Sequence, residues 1–147
     1  MAMTAAQAAT FKTAVLADAA LATARLAGDA GTISAYYNAN AASGVVWRTA
    51  VSTAEMSAAI VWSEYAALTV AKQNAYAAMA AGGSVDSSKS NIQGGFSAVF
   101  AGTTSLTNLT ALAQRVPTRF EALYAVANVT PLFSYIVTVG DVGVALG

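Results

Sequence analysis

The sequence contains no cysteine and no histidine. Disulfides, thiolate chemistry, structural zinc of the usual Cys/His type and any histidine-based triad are therefore excluded. Charge is scarce as well. Seven basic and seven acidic residues cancel and make up 10% of the 147 residues, against a usual share of about 25%. Nucleic-acid binders show a basic patch or stripe. Here the basic residues are scattered and only Arg115 and Arg119 sit close together, so no specific nucleic-acid partner is expected. A membrane-spanning run is missing too, since a span needs about 18–20 apolar residues. Glu64 and Lys72 interrupt the best helical candidate, and Pro131 and Asp141 the C-terminal one. Asp18 falls inside the N-terminal apolar segment, which argues against a signal peptide.

What the chain has in place of charge is alanine, about a quarter of all residues. A lone soluble chain relies on surface charge for colloidal stability, and burial of the surface among other subunits accounts for its shortage. The length suits a single domain, 1–147.

The expected fold class is mainly α, a helical bundle with one long central helix and one or two short β segments at about 45–51 and 133–139. Thr4 to Ala27 reads as helical, with Asp18 able to cap a second segment. A short helix follows over Thr32 to Asn38, then a loop rich in Asn, Ser and Gly. Val45 to Val51 bunches β-branched and aromatic residues, as strands do. Ser52-Thr53-Ala54-Glu55 has capping-box spacing, with Val51 and Met56 at the staple positions. The helix it opens is expected to run to about Ala80, some 28 residues or ~42 Å. Ala58, Val61, Trp62, Tyr65, Leu68, Tyr76 and Met79 share one stripe of it. Trp62 is thereby expected in the core, where its truncation would cost roughly 3–5 kcal/mol. Asp86 or Ser87 starts a further helix, to about Ala101, containing Gly94-Gly95, which suggests close helix–helix approach or a local break. Thr104 or Ser105 opens the next, and Thr118-Arg119-Phe120-Glu121 is a second capping box whose helix is expected to reach about Ala127. Phe133 to Val139 is the clearest strand by composition, expected to pair with Val45–Val51 or with a neighbour's strand.

Catalytic raw material is thin. The seven carboxylates form no DxD or ExxE constellation, and Glu55, Glu121, Asp18 and Asp86 read as caps. Neither Gly82-Gly83-Ser84 nor Gly94-Gly95 is a phosphate loop. No catalytic, cofactor-binding or metal residue is assigned, and no enzymatic activity is expected. Interface candidates are Trp47, Arg48, Lys72, Arg115 and Arg119. Arg48 follows Trp47 on an extended segment, so the two point to opposite sides; with Trp47 inward, Arg48 faces a neighbouring subunit. Lys72 lies on the large-residue stripe, where it either snorkels out or forms an intersubunit salt bridge.

The order of features is familiar: Phe11-Lys12-Thr13-Ala14-Val15-Leu16-Ala17-Asp18, Val46-Trp47-Arg48-Thr49, Ile60-Val61-Trp62, Asn91-Ile92-Gln93-Gly94-Gly95-Phe96 and Arg115-Val116-Pro117-Thr118-Arg119-Phe120. Together these resemble small structural proteins of tailed bacteriophages, of the type encoded among head and head–tail connector genes. The chain departs from that pattern at Gln93, where the resemblance implies an arginine. The resemblance implies a virion protein assembled in the host cytoplasm. A head–tail connector or adaptor would have copies of itself and portal, capsid or tail subunits as partners, with no cofactor, small-molecule substrate or membrane. A capsid decoration or cement protein is the alternative within virions. Outside them, a bacterial helical binding module is the other class, although Trp47-Arg48-Thr49 and Trp62-Ser63-Glu64 lack the Trp-X-Gly turn of secreted helical hairpins.

Overall fold

A computed structural model of the chain describes residues 3–124 and 136–147. The chain is mainly helical, with short antiparallel strands. In chain order it forms α1 Ala5–Ala17, α2 Ala22–Leu26, α3 Ala30–Asn38, β1 Val46–Trp47 and β2 Val51–Ser52. There follow α4 Thr53–Ala59, α5 Trp62–Ala66, α6 Val70–Ala80, β3 Ser84–Val85 and α7 Ser90–Phe100. The remainder is α8 Thr104–Ala113, β4 Gln114–Arg115, α9 Arg119–Ala122 and α10 Val139–Leu146. These residues group into two compact units. Unit 1 is Met1–Val45 with Val116–Gly147, and unit 2 is the intervening Val46–Arg115.

In unit 1, Thr4 and Gln7 form a capping box that opens α1. The helix stops at Asp18, whose carboxylate accepts from Ala20 N at 2.9 Å and starts a short 3-10 turn leading into α2. Asp29 caps α3 in the same way through Thr32 N. Phe11 is fully buried and meets Tyr37 and Phe120 edge-on, at 5.0 and 5.3 Å between ring centroids. Val15, Ile33 and Val142 close the core around them. Where the chain leaves and re-enters the unit, Asn40 bridges Thr118, flanked by Ala41 N to Pro117 O and Arg119 N to Ala39 O at 2.9 Å each.

Unit 2 has its own core around Met56, Phe100, Val51 and Leu109. Its two chain ends are fastened to each other: β1 pairs with β4 in the register Val46↔Arg115 and Trp47↔Gln114. A second ladder, β2 with β3, sets Val51 against Val85. The expected capping box at Ser52 and Glu55 is formed, and both staple residues, Val51 and Met56, are buried.

The long helix expected over Thr53–Ala80 is instead three helices, α4, α5 and α6. At the first break Ile60 and Val61 are extended, with ψ of 134° and 104°. Both are β-branched, which weakens their hold on a helix. The groups released there find partners on α8. Val61 N donates to Ser105 Oγ at 3.0 Å, and the Asn108 amide donates to Ala59 O at 2.9 Å. The second break is a cap, Thr69, whose hydroxyl accepts from Lys72 N. With the stripe interrupted, Trp62 leaves the core: it is 56% exposed and rests edge-on against Tyr65.

The C-terminal strand expected over 133–139 is also corrected. Positions 133–135 lie outside the described residues, as does the expected stretch of helix to Ala127, and Val139 opens α10. Thr138 and Asp141 form a capping box there. This i, i+3 exchange outweighs the strand propensity of a β-branched run. The 45–51 segment does become extended as β1 and β2, but it pairs with β4 and β3.

Gly94 and Gly95 sit within α7 and differ in surroundings. A Cβ on Gly95 would run into Met79 Sδ of α6, while a Cβ on Gly94 meets nothing within 4 Å. Gly94→Ala is therefore expected to stabilise the chain by about 0.5–1 kcal/mol in urea unfolding, through helix propensity alone. Gly95→Ala should gain less or lose, because Met79 must move. The paired ends and separate core of unit 2 lead to a second expectation: a fragment of residues 46–115 should melt cooperatively by circular dichroism. A fragment without a cooperative transition would show that its core is insufficient.

Candidate functional site

The five interface candidates are divided between the two units. Trp47, Arg48 and Arg115 belong to the β1–β4 ladder and its edge, Lys72 lies on α6, and Arg119 lies in unit 1 at the start of α9. Trp47 is half-buried and packs against the unit 2 core. Lys72 is half-buried, with no acidic group in ion-pair reach among the described residues.

Arg48 is held inside unit 2. Its Nη2 meets Glu55 Oε1 at 2.7 Å, and its Nη1 donates to Leu112 O at 3.2 Å. Its backbone N donates to Ala113 O at 2.8 Å, and the fully buried Ser87 hydroxyl donates to both Arg48 O and Ala113 O. Gln93, the position that departs from the phage pattern, sends its amide to Ser87 O at 2.9 Å.

Each of the seven carboxylates accepts a backbone N–H. Asp18 takes Ala20 N, Asp29 takes Thr32 N, Glu55 takes Ser52 N and Asp86 takes Ser88 N. Glu121 takes Thr118 N, Asp141 takes Thr138 N, and Glu64 takes both Thr104 N and Ser105 N. The Glu64 contact joins α5 to the head of α8 and was not legible in the sequence. Such bonds favour the ionised form. The Ser52 N–H, the Arg48 guanidinium and the Ser52 hydroxyl pull the Glu55 carboxyl down from 4.5 to about 2. The Ser105 hydroxyl and N–H lower Glu64, the Thr32 hydroxyl lowers Asp29, and the Ser88 hydroxyl lowers Asp86. Among the described residues no three acidic side chains gather where they could hold a metal ion. No helix among them is long and apolar enough to cross a membrane.

Unit 1 contains an open recess of about 390 Å³ lined by Tyr36, Tyr37, Asp18, Arg119 and small apolar side chains. The Arg119 guanidinium lies over the Tyr36 ring, 4.0 Å from its centroid, and its Nη1 donates to Tyr36 O at 3.1 Å. Hydrogen bonding towards Asp18 raises the pKa of the Tyr36 phenol, while burial pushes Tyr37 up to about 12. Both phenols are neutral at physiological pH. A second recess, about 470 Å³, is bounded by Leu16, Leu26 and Leu146. Its one charged group, Arg25, has Nη1 on Val15 O and Asp18 O at 2.6 Å each, so it closes the end of α1.

These carboxylates give a definite pH dependence. Glu55, Glu64, Asp29 and Asp86 have folded pKa values below their ordinary 4.5 and 3.8. The stability they confer is complete above those ordinary values and is lost as pH falls through the folded ones. The melting temperature should therefore be level above about pH 5 and drop towards pH 2. Glu55→Gln should lower the melting temperature at neutral pH and flatten part of the acid drop, read by thermal circular dichroism across that range.

Compared with protein-family models, curated proteins and solved structures, the chain matches none, so its function has to be argued from its own residues.

Proposed function

We propose that this chain is a non-enzymatic structural subunit of a tailed-phage virion, working through subunit packing as a head–tail connector or adaptor. The observation that supports this reading most is how charge and apolar surface are divided. All seven carboxylates are engaged as backbone caps, while Leu26, Ile136, Val144 and Val70 stand 92%, 76%, 73% and 69% exposed. Single exposed apolar residues are ordinary on monomers. Several of them on a surface otherwise made of alanine and poor in charge favour burial against other subunits. The partners this implies are copies of the chain and neighbouring virion proteins.

Light scattering of the purified protein, with electron microscopy of particles, tests the reading. Ordered oligomers or incorporation into particles are expected; a monodisperse monomer that never enters particles would overturn it. Trp62 offers a residue-level check. Because it is exposed and held mainly by Tyr65 at 5.5 Å, Trp62→Ala should cost about 1 kcal/mol in subunit melting, well short of a core truncation. Its effect on assembly should be the larger of the two.

A further inference from the structure

We propose that the unit 1 recess beside Arg119 is a docking site for an acidic, partly apolar segment of a different protein, with Arg119 gripping its carboxylate. The proposal refines the subunit reading and rests on it in taking the occupant to be protein.

Arg119 is positioned in advance. Stacking on Tyr36 and the bond to Tyr36 O fix the guanidinium plane and occupy Nη1. The rest of the fork remains, and it suits a carboxylate with two parallel N–H donors. Among the described residues no carboxylate lies within ion-pair reach of Arg119. This half-buried cation faces a recess whose walls, Asp18 and the two tyrosines apart, are apolar, with Ala14, Ala17, Ala41 and Leu123 among them.

The chain itself is a poor source for the missing anion. Every one of its own carboxylates already closes a backbone N–H. A second copy could offer only side-chain carboxylates already anchored at helix or turn starts, whereas a segment of another protein can bring one that is unengaged, so charge complementarity points to another protein. Asp18 lines the same recess, and its charge sets polarity. Its carboxylate accepts Ala20 N, and it repels a second anion from its own end. An incoming segment therefore places its carboxylate at Arg119 and an apolar neighbour against the alanines.

The test is amide NMR of the full chain titrated with a blocked Leu-Glu-Leu tripeptide and its Leu-Gln-Leu twin. The glutamyl peptide should shift amides around Tyr36 and Arg119 and bind about tenfold more tightly than the glutaminyl one. Arg119→Gln should remove that preference, and Arg119→Lys should restore part of it. If Arg119→Gln does not fold, the two peptides on the unaltered chain decide the matter alone. Equal responses to both peptides, no response, or shifts away from the recess would each overturn the proposal. Shifts at Arg119 with phenylpropionate but with neither peptide would also overturn it, assigning the recess to free small carboxylates. A chain that prefers the glutamyl peptide but never assembles would sink the virion reading and leave the docking site standing.

Discussion

The structure depends on closing helix ends. A helix leaves its first N–H groups without internal partners, and a chain divided into many short helices multiplies that demand. The longest helix among the described residues has 13 residues and the shortest 4. The acceptors come from Ser and Thr hydroxyls, the Gln7 amide and six of the seven carboxylates, Asp86 closing a turn instead. Four reciprocal capping boxes result, at Thr4/Gln7, Ser52/Glu55, Thr118/Glu121 and Thr138/Asp141. Glu64 extends the same device across sequence, since it and the Thr103 hydroxyl together meet the first N–H groups of α8. Remove these acceptors and α1, α3, α4, α6, α8, α9 and α10 lose what marks their start.

That commitment explains how so little charge can hold a definite fold while leaving a nearly neutral surface. Backbone N–H bonds fix these carboxylates at helix and turn starts. The arginines are treated likewise. Arg25 terminates α1 on two carbonyls, and Arg48 ties a carbonyl of α8 to Glu55. Arg119 holds a carbonyl and a ring and, like Arg25, meets no carboxylate, but it faces an open recess. In a molecule whose carboxylates close its own backbone, a guanidinium that faces a recess has a meaning it would lack on a highly charged surface.

The parts legible in the sequence were those decided within three or four residues. The Ser52/Glu55 and Thr118/Glu121 boxes, the stop at Asp18 and the helical character of the chain all follow from local spacing. The misread parts were decided across long separations. The pattern over Thr53–Ala80 is helical throughout. The break at Ile60-Val61 is stabilised by Ser105 and Asn108, which lie 44 and 49 residues further on. Trp62 then turned outward as a consequence, since a stripe keeps its face only while the helix is continuous. At the C-terminal end the β-branched run drew attention from a local signal that was present, Thr138 three residues before Asp141. The recess was out of reach for another reason. It joins Asp18, Tyr36 and Arg119, and their proximity depends on how α3 and α9 pack.

The neck of unit 2 shows how far this economy of charge goes. Val46 to Arg48 runs antiparallel to Ala113–Arg115, joined by the Val46↔Arg115 pairing and Arg48 N to Ala113 O. The Ser87 hydroxyl bridges both strands from β3's following turn. The Arg48 side chain then continues to Glu55, the acidic half of the box that opens α4. One carboxylate thus serves the helix start and, through Arg48, the junction where the chain enters and leaves the unit. Such sharing is why its carboxyl sits so far below the ordinary range. It also means that Arg48 cannot be turned towards another subunit without loosening its own.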